Sequence, residues 1–334
     1  MPRVAVLLPA RDAERTIRAA ASSILRQTER DLRLVVVDDG SRDATADVVH
    51  RLAERDRRLE VVRGPREGIA KALQRGLSRC DAEVVARMDA DDVAHARRLE
   101  VQLGALARDA SLAAVGSRVR LFPRREVAGG MRRYAAWLNG LVTPAHVERD
   151  LLVEAPLVHP ATSIRRAALA AAGGWRDGDF PEDYDLWLRL CAAGWRLTNV
   201  PEVLLDWRES PARLTRRDGR YALERHRALK AAWLAAGPLT GRREVALWGA
   251  GETGRAFARA LAAHGIRVAL FLEVDPRKFG RRILGAPVVP YGEAARVRGV
   301  PLLVAVGAPG ARDLIRAELE KQGFAELRDF RCVA

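Results

Sequence analysis

Cysteine is scarce in this chain, and long apolar runs are missing from it. Cys80, Cys191 and Cys332 are scattered and show no CxxC spacing. That argues against a disulfide framework and a zinc site, and it fits a reducing cytoplasm. No stretch approaches the ~18 apolar residues of a membrane-spanning helix. The opening MPRVAVLLPARDAE holds only a short apolar run that meets charge at once, so it predicts a strand and no signal peptide. Aromatic residues are 5% of the chain, and no RNA- or DNA-binding motif or aromatic-interleaved basic patch accompanies its formal charge of +14. Nucleic acid is therefore set aside as a partner. Lysine is rare, so the excess charge is arginine, much of it at helical spacing on solvent faces, as at Arg51, Arg55 and Arg58. An anionic membrane surface and phosphorylated substrates remain as outlets for it.

At 334 residues the chain has room for two domains. Apolar strands alternate with amphipathic helices over its first third. Strands are predicted at 3–8, 32–37, 59–63, 83–88 and 112–121, and helices at 44–57, 67–79 and 94–108. Ile17, Ala20, Ala21, Ile24 and Leu25 mark the buried face of a further helix. Such alternation predicts a mostly parallel sheet with helices on both faces. Gly129 and Gly130 predict a flexible loop before an amphipathic helix, Met131–Leu141, whose Trp137, Leu138 and Leu141 suit a core or a membrane surface.

Three carboxylates, Asp89, Asp91 and Asp92, follow the strand at 83–88. Acids so close repel one another unless positive charge sits among them. Mg²⁺ binds oxygen ligands, commonly one or two carboxylates plus substrate phosphates. An Asp-x-Asp at the carboxyl edge of a parallel sheet suits a metal–diphosphate site; the structural alternative is an acidic turn before a helix. Three loops converge on that edge: Pro9-Ala10-Arg11-Asp12, Asp38-Asp39-Gly40-Ser41 and the DADD run. A nucleotide explains two acidic strand ends at one crevice, with Asp39 accepting from base or ribose and Asp91 holding a cation. Ser41 also suits a helix cap.

Taken together, LLPARD, VVVDDGS, GIAKALQRGL and RMDADD resemble family 2 glycosyltransferases of the GT-A fold, in order and in spacing. Gln74 stands where a similar bacterial branch usually carries Asn. The resemblance implies an inverting transferase with a nucleotide-sugar donor, a divalent cation (Mn²⁺ or Mg²⁺) and a glycan or lipid-linked acceptor in surface-glycan assembly. It implies donor contacts at Pro9, Arg11, Asp39, Lys71, Asp89, Asp91 and His159, with Asp89, Asp91 and His159 near the metal. It also implies Asp183, with Glu182, as the general base at a helix start. Asp179, Pro181 and Glu182 by themselves predict a capping box there, and Gly194 ends that helix. Inverting transfer needs a base for the acceptor hydroxyl and a cation for the leaving diphosphate, and no side-chain nucleophile. Residues 197–208 predict a closing strand pair. The basic loop after it lies over the donor in related enzymes, so Arg213, Arg216 and Arg217 are candidate diphosphate contacts.

A helix at 220–236 and a linker at 237–241 close the predicted transferase domain, 1–236. In residues 242–334 a strand runs into Gly249-Ala250-Gly251-Glu252-Thr253-Gly254 and a helix, the GxGxxG context. Glu273, 19 residues after Gly254, suits a ribose hydroxyl. VDPRKFGRRILGAPVVP is similar to small Rossmann-like nucleotide- or sugar-binding domains, which implies a nucleotide-type ligand there. The rival expectations are an NAD-dependent sugar-modifying enzyme centred on these glycines and a non-catalytic nucleotide-sugar binder. The expected location is cytoplasmic, with peripheral docking on an anionic membrane.

Overall fold

The computed structural model describes residues 2–211 and 213–334. The chain divides into two compact units. The first comprises Met1–Glu148, Pro156–Gly178 and Glu182–Arg217; the second comprises Arg149–Ala155, Asp179–Pro181 and Asp218–Ala334.

In the first unit the elements run β1 (Val4–Ala10), α1 (Ile17–Leu25), β2 (Leu32–Asp39), α2 (Thr45–Ala53), β3 (Leu59–Gly64), α3 (Ile69–Leu77), β4 (Val84–Arg87), β5 (Val93–Ala94), α4 (Arg98–Arg108) and β6 (Leu112–Phe122). They continue as α5 (Gly129–Gly140), α6 (Pro144–Asp150), β7 (Ser163–Arg165), α7 (Arg166–Ala171), α8 (Glu182–Ala192), β8 (Arg196–Arg208) and α9 (Leu214–Arg217). The sheet order is β3-β2-β1-β4-β7-β6-β8-β5. β1 to β4 are parallel, so their following loops gather at one edge. All seven residues of β1 are buried, as expected of a central strand covered on both faces. β7 enters antiparallel between β4 and β6.

Several boundaries differ from the sequence expectations. The helix expected from 94 begins at Arg98, because Val93 and Ala94 pair antiparallel with Asp206 and Leu205 as β5. The expected strand pair at 197–208 is one 13-residue strand, β8, whose register against β6 shifts near Arg118. Gly129 and Gly130 open α5 instead of forming a loop, and Leu138 of that helix enters the core. Ser41 caps no helix: its Oγ accepts from the Asp12 N–H at 3.0 Å, tying the first two loops together. The Asp179 capping box does not form, since α8 starts at Glu182 and Asp179 pairs with Arg225.

The second unit contains α10 (Leu223–Ala236), β9 (Glu244–Trp248), α11 (Glu252–Ala262), β10 (Arg267–Glu273), β11 (Arg282–Ile283), β12 (Ala286–Pro290), β13 (Leu302–Val304), α12 (Ala311–Lys321) and β14 (Phe330–Cys332). Its sheet order is β11-β12-β10-β9-β13-β14, parallel except for the β11–β12 pair. The helix expected to close the first domain, α10, packs on α11 here, one helix earlier than the boundary at 236. The short piece 149–155 is part of the same unit. Buried Lys230 of α10 donates to the Val153 carbonyl at 2.7 Å and the Val333 carbonyl at 3.2 Å. Arg316 of α12 pairs with buried Asp150 and, at 2.9 Å, with Glu326.

Candidate functional site

Three side-chain carboxylates meet just beyond β4. Oxygen atoms of Asp89, Asp91 and Asp92 lie within 4.8 Å of one another, close enough to share one metal ion. The ligands are all oxygen, which suits a hard cation such as Mg²⁺ or Mn²⁺. Asp92 Oδ2 is buried without a hydrogen-bond partner, so the site has an acceptor left over that a cation would satisfy. Burial, and then the neighbouring Asp89, push the Asp91 carboxyl up to about 6. Burial drives Asp92 upward as well, followed by Asp89 and Asp91.

Arginine holds this cluster together. Arg87, 2% exposed, donates to Asp89 Oδ1 at 2.7 Å and to the Met88 carbonyl. Arg98 is fully buried and donates to the carbonyls of Arg87 at 2.6 Å and Thr162 at 3.2 Å. Burial lowers its pKa to about 9, and Asp92 and Asp89 oppose that shift through space. The Arg208 backbone N–H donates to Asp92 Oδ1 at 2.7 Å, and its Nε donates to the Asp91 carbonyl at 2.7 Å. The Arg208 guanidinium also stacks on Phe122, 4.4 Å from the ring centre. Sequence patterning singled out Asp89 and Asp91. It gave Asp92 no role of its own, noted Arg98 only as a basic residue after the acids, and did not single out Arg87 or Arg208. The one signal available was that clustered acids need positive neighbours.

The DDGS loop is fastened inward. Asp39, 4% exposed, accepts the N–H groups of Glu67 at 2.7 Å and Gly68 at 3.0 Å, and Arg11 lies 3.4 Å from its Oδ2. Oδ2 takes both Gly68 and Arg11, while Oδ1 takes Glu67 and keeps a second lone pair for a base or ribose. Pro9 is buried in β1 opposite Val37. Lys71 is exposed on the first turn of α3, 4.0 Å from Asp177. Gln74 donates to the Trp175 carbonyl, so its longer side chain ties α3 to the turn before α8.

His159 sits apart from the carboxylate group. Its Nε2 accepts the Trp175 indole N–H at 2.8 Å, which assigns the ring proton to Nδ1, 4.0 Å from Glu182 Oε1. Burial, and then Arg87, hold the ring neutral. With its lone-pair nitrogen spent on Trp175, His159 is not among the clustered ligands expected to include it. Its neighbours make it a packing partner of Glu182, which is 3% exposed. Asp183 is half-buried in the first turn of α8, and its Oδ1 accepts the Tyr184 N–H at 2.7 Å. A carboxylate in the first turn of a helix complements the positive end of its dipole.

In the second unit, β9 lies between β10 and β13, so the carboxyl end of β9 is where strand order reverses. A side chain at Gly254 would run into the Gly249 carbonyl, and one at Gly249, where φ is +109°, would press on Val306. Those two glycines serve packing. A side chain at Gly251 would meet nothing within 4 Å. Glu273, expected to meet a ribose, is otherwise engaged: it accepts N–H groups from Ala250 at 3.1 Å, Val274 at 2.8 Å and Asp275 at 3.2 Å, and Lys278 lies 2.8 Å away.

The family model "Glycosyl transferase family 2" matches residues 5–172. EpsE of Bacillus subtilis (strain 168) is 28% identical over 229 residues, covering 67% of this chain and 79% of that one. The Escherichia coli UDP-Gal:alpha-D-GlcNAc-diphosphoundecaprenol beta-1,3-galactosyltransferase is 25% identical over 233 residues, covering 68% and 82%. The structure of mannosyltransferase PcManGT from Pyrobaculum calidifontis, in complex with GDP-Man and Mn²⁺, superposes with a TM-score of 0.51 at 24% identity, covering 79% of this chain and 69% of that one. The last likeness is one of fold.

Proposed function

The chain belongs to glycosyl transferase family 2, and from that premise we propose that it transfers a sugar, with inversion, from a nucleotide-diphosphate sugar to a hydroxyl of a glycan or lipid-linked acceptor in cell-surface polysaccharide assembly. The observation that carries this proposal is the carboxylate triad beyond β4, with its unpartnered Asp92 oxygen. Asp89, Asp91 and Asp92 would hold a divalent cation, which when bound neutralises charge on the departing diphosphate. Arg208 keeps Asp92 and the Asp91 backbone in register for that task. Asp183 takes the proton of the acceptor hydroxyl as its oxygen bonds to the anomeric carbon and the bond to the diphosphate breaks. The nucleoside diphosphate leaves with the bonding electrons, and no covalent enzyme intermediate forms. Asp39 and Arg11 would meet the nucleoside, and Arg213 and Arg216 the diphosphate. The names of the relatives support a lipid diphosphate acceptor and a GDP- or UDP-sugar donor without selecting either.

The second unit serves this transferase as a nucleotide- or sugar-binding module around Gly251. The prior engagement of Glu273 weighs against an NAD-dependent centre there. Peripheral docking on an anionic bilayer uses the stretch 118–133, which carries Arg118, Arg120, Arg124, Arg125, Arg132 and Arg133 against Glu126 alone. No helix among the described residues is long and apolar enough to cross a membrane.

The decisive experiment screens nucleotide sugars by hydrolysis and thermal shift, with and without Mn²⁺, on the natural protein and Asp91→Ala. Stabilisation by one nucleotide sugar that needs the metal and vanishes in the variant supports the proposal. Stabilisation by NAD alone, indifferent to Asp91→Ala, would refute it.

A further inference from the structure

Glu209 is a carboxylate 1% exposed to solvent at the end of β8, one residue beyond the Arg208 that clasps the triad. Its backbone N–H donates to the Phe122 carbonyl at 2.8 Å, which fixes its direction. Two arginines from the following turn fold back onto it. Arg213 Nη1 lies 3.3 Å from Oε2, and Arg216 Nη2 lies 2.6 Å from Oε1. The Arg213 guanidinium also lies over Trp207, 4.2 Å from the ring centre. A carboxylate this buried needs charged partners, so Glu209 and its arginines form a unit.

The charge inventory around the triad shows what that unit is for. Four arginines act on the three aspartates: Arg87, Arg98, Arg208 and Arg213. Arg87 is committed to Asp89 and the Met88 carbonyl, Arg98 to backbone carbonyls, and Arg208 to Asp92, the Asp91 carbonyl and the Phe122 ring. Arg213 gives Glu209 one edge of a guanidinium that has five N–H groups in a fixed fork. Arg216 is 46% exposed. These two retain the donors that could meet an incoming anion, and Glu209 decides where they stand.

We propose that Glu209 is a positioning residue for the donor diphosphate: it holds Arg213 beside the carboxylate triad and Arg216 on its own other oxygen, so that phosphate oxygens not facing the cation meet guanidiniums already in place. The proposal rests on the donor site assigned above. Preset partners spare the donor the ordering of two long side chains, which favours donor affinity over turnover.

The test measures binding of Mg²⁺-pyrophosphate to the full chain by calorimetry, for the natural protein, Glu209→Gln, Arg213→Gln and the double variant. Losing a hydrogen bond to a charged group should raise Kd about tenfold in each single variant. The double variant should be little worse than either single, because Glu209 acts through Arg213. Glu209→Asp should recover part of the affinity, and in sugar transfer the KM for donor should rise while kcat changes little. If Glu209→Gln fails to fold, as judged by circular dichroism, Glu209→Asp and Arg213→Gln against the natural protein carry the comparison. Natural protein that binds no Mg²⁺-pyrophosphate overturns the donor site and this inference together. Natural protein that binds, with Glu209 variants that bind as well or better, or with losses that multiply in the double variant, overturns this inference alone.

Discussion

Replacing Asp91 by asparagine should make the metal-free protein more stable while disabling its site. The carboxyl of Asp91 is raised from 3.8 to about 6, by burial first and by Asp89 second. The folded state therefore binds this proton more tightly than the unfolded chain does. Below 3.8 both states are protonated and no penalty exists. Between 3.8 and 6 the penalty on folding grows with pH, and above 6 it is fully present. At 1.36 kcal/mol per pH unit it amounts to about 3 kcal/mol. Asparagine cannot ionise, so Asp91→Asn should recover most of this at pH 7.5 and almost none at pH 4. It should also relieve Asp92, which Asp91 pushes upward. At roughly 2–4 °C per kcal/mol for a unit of this size, the melting temperature should rise by about 5–10 °C. The assay is thermal unfolding of both proteins in EDTA across that pH range, repeated with excess Mn²⁺ at pH 7.5. Mn²⁺ should stabilise the natural protein and leave the variant almost unmoved. A variant that melts at or below the natural protein at pH 7.5, or a difference that does not change with pH, would refute the electrostatic account of the triad.

Asp183→Asn should abolish sugar transfer while nucleotide-sugar binding, read by calorimetry, stays within about twofold, since the base acts on the acceptor; transfer that persists would remove Asp183 from the mechanism. Arg316→Leu removes the guanidinium that Asp150 and Glu326 share, leaving Arg149 on Asp150, and should destabilise the second unit by about 3 kcal/mol. An unchanged urea midpoint would show that the network contributes nothing. Changing Arg124, Arg125, Arg132 and Arg133 to glutamate should abolish sedimentation with vesicles containing anionic lipid, with roughly 1 kcal/mol lost per arginine neutralised near the surface. Equal binding to neutral vesicles, or undiminished binding by the variant, would exclude this stretch as a docking face.

Much of the first unit was legible because its strands are continuous apolar runs and its acids stand at their ends. β1, β2, β3, β4 and β6 lie where the runs lie. Periodicity recovered the face of α1, with Ile17, Ala20, Ala21, Ile24 and Leu25 all buried. The pattern failed where pairing at a distance overrides local preference. Ala94 opens the helix expected at 94–108 and joins a strand with Val93 only because Leu205 and Asp206 lie beside them. Arg98 has the composition of a solvent-facing residue at a helix start, yet its burial follows from carbonyls of Arg87 and Thr162, 11 and 64 residues away. His159 was expected at the metal by resemblance; its engagement with Trp175 depends on a turn that Gln74 and Arg189 hold. Glu273 stands where a ribose partner stands in sequence spacing. Only the structure reveals that Lys278 and three backbone N–H groups already fill it.

The interleaving of the second unit sets a timetable for synthesis. Asp150 and Arg316 are 166 residues apart. At 5–20 residues per second, the ribosome delivers the second roughly 10–30 s after the first. Throughout that interval Asp150, buried in the finished protein, waits for the Arg316 guanidinium. A chain cut short before α12 never acquires that ion pair. It leaves the ribosome with the 149–155 segment lacking the last-made residue it pairs with, so the second unit closes only once its final helix exists.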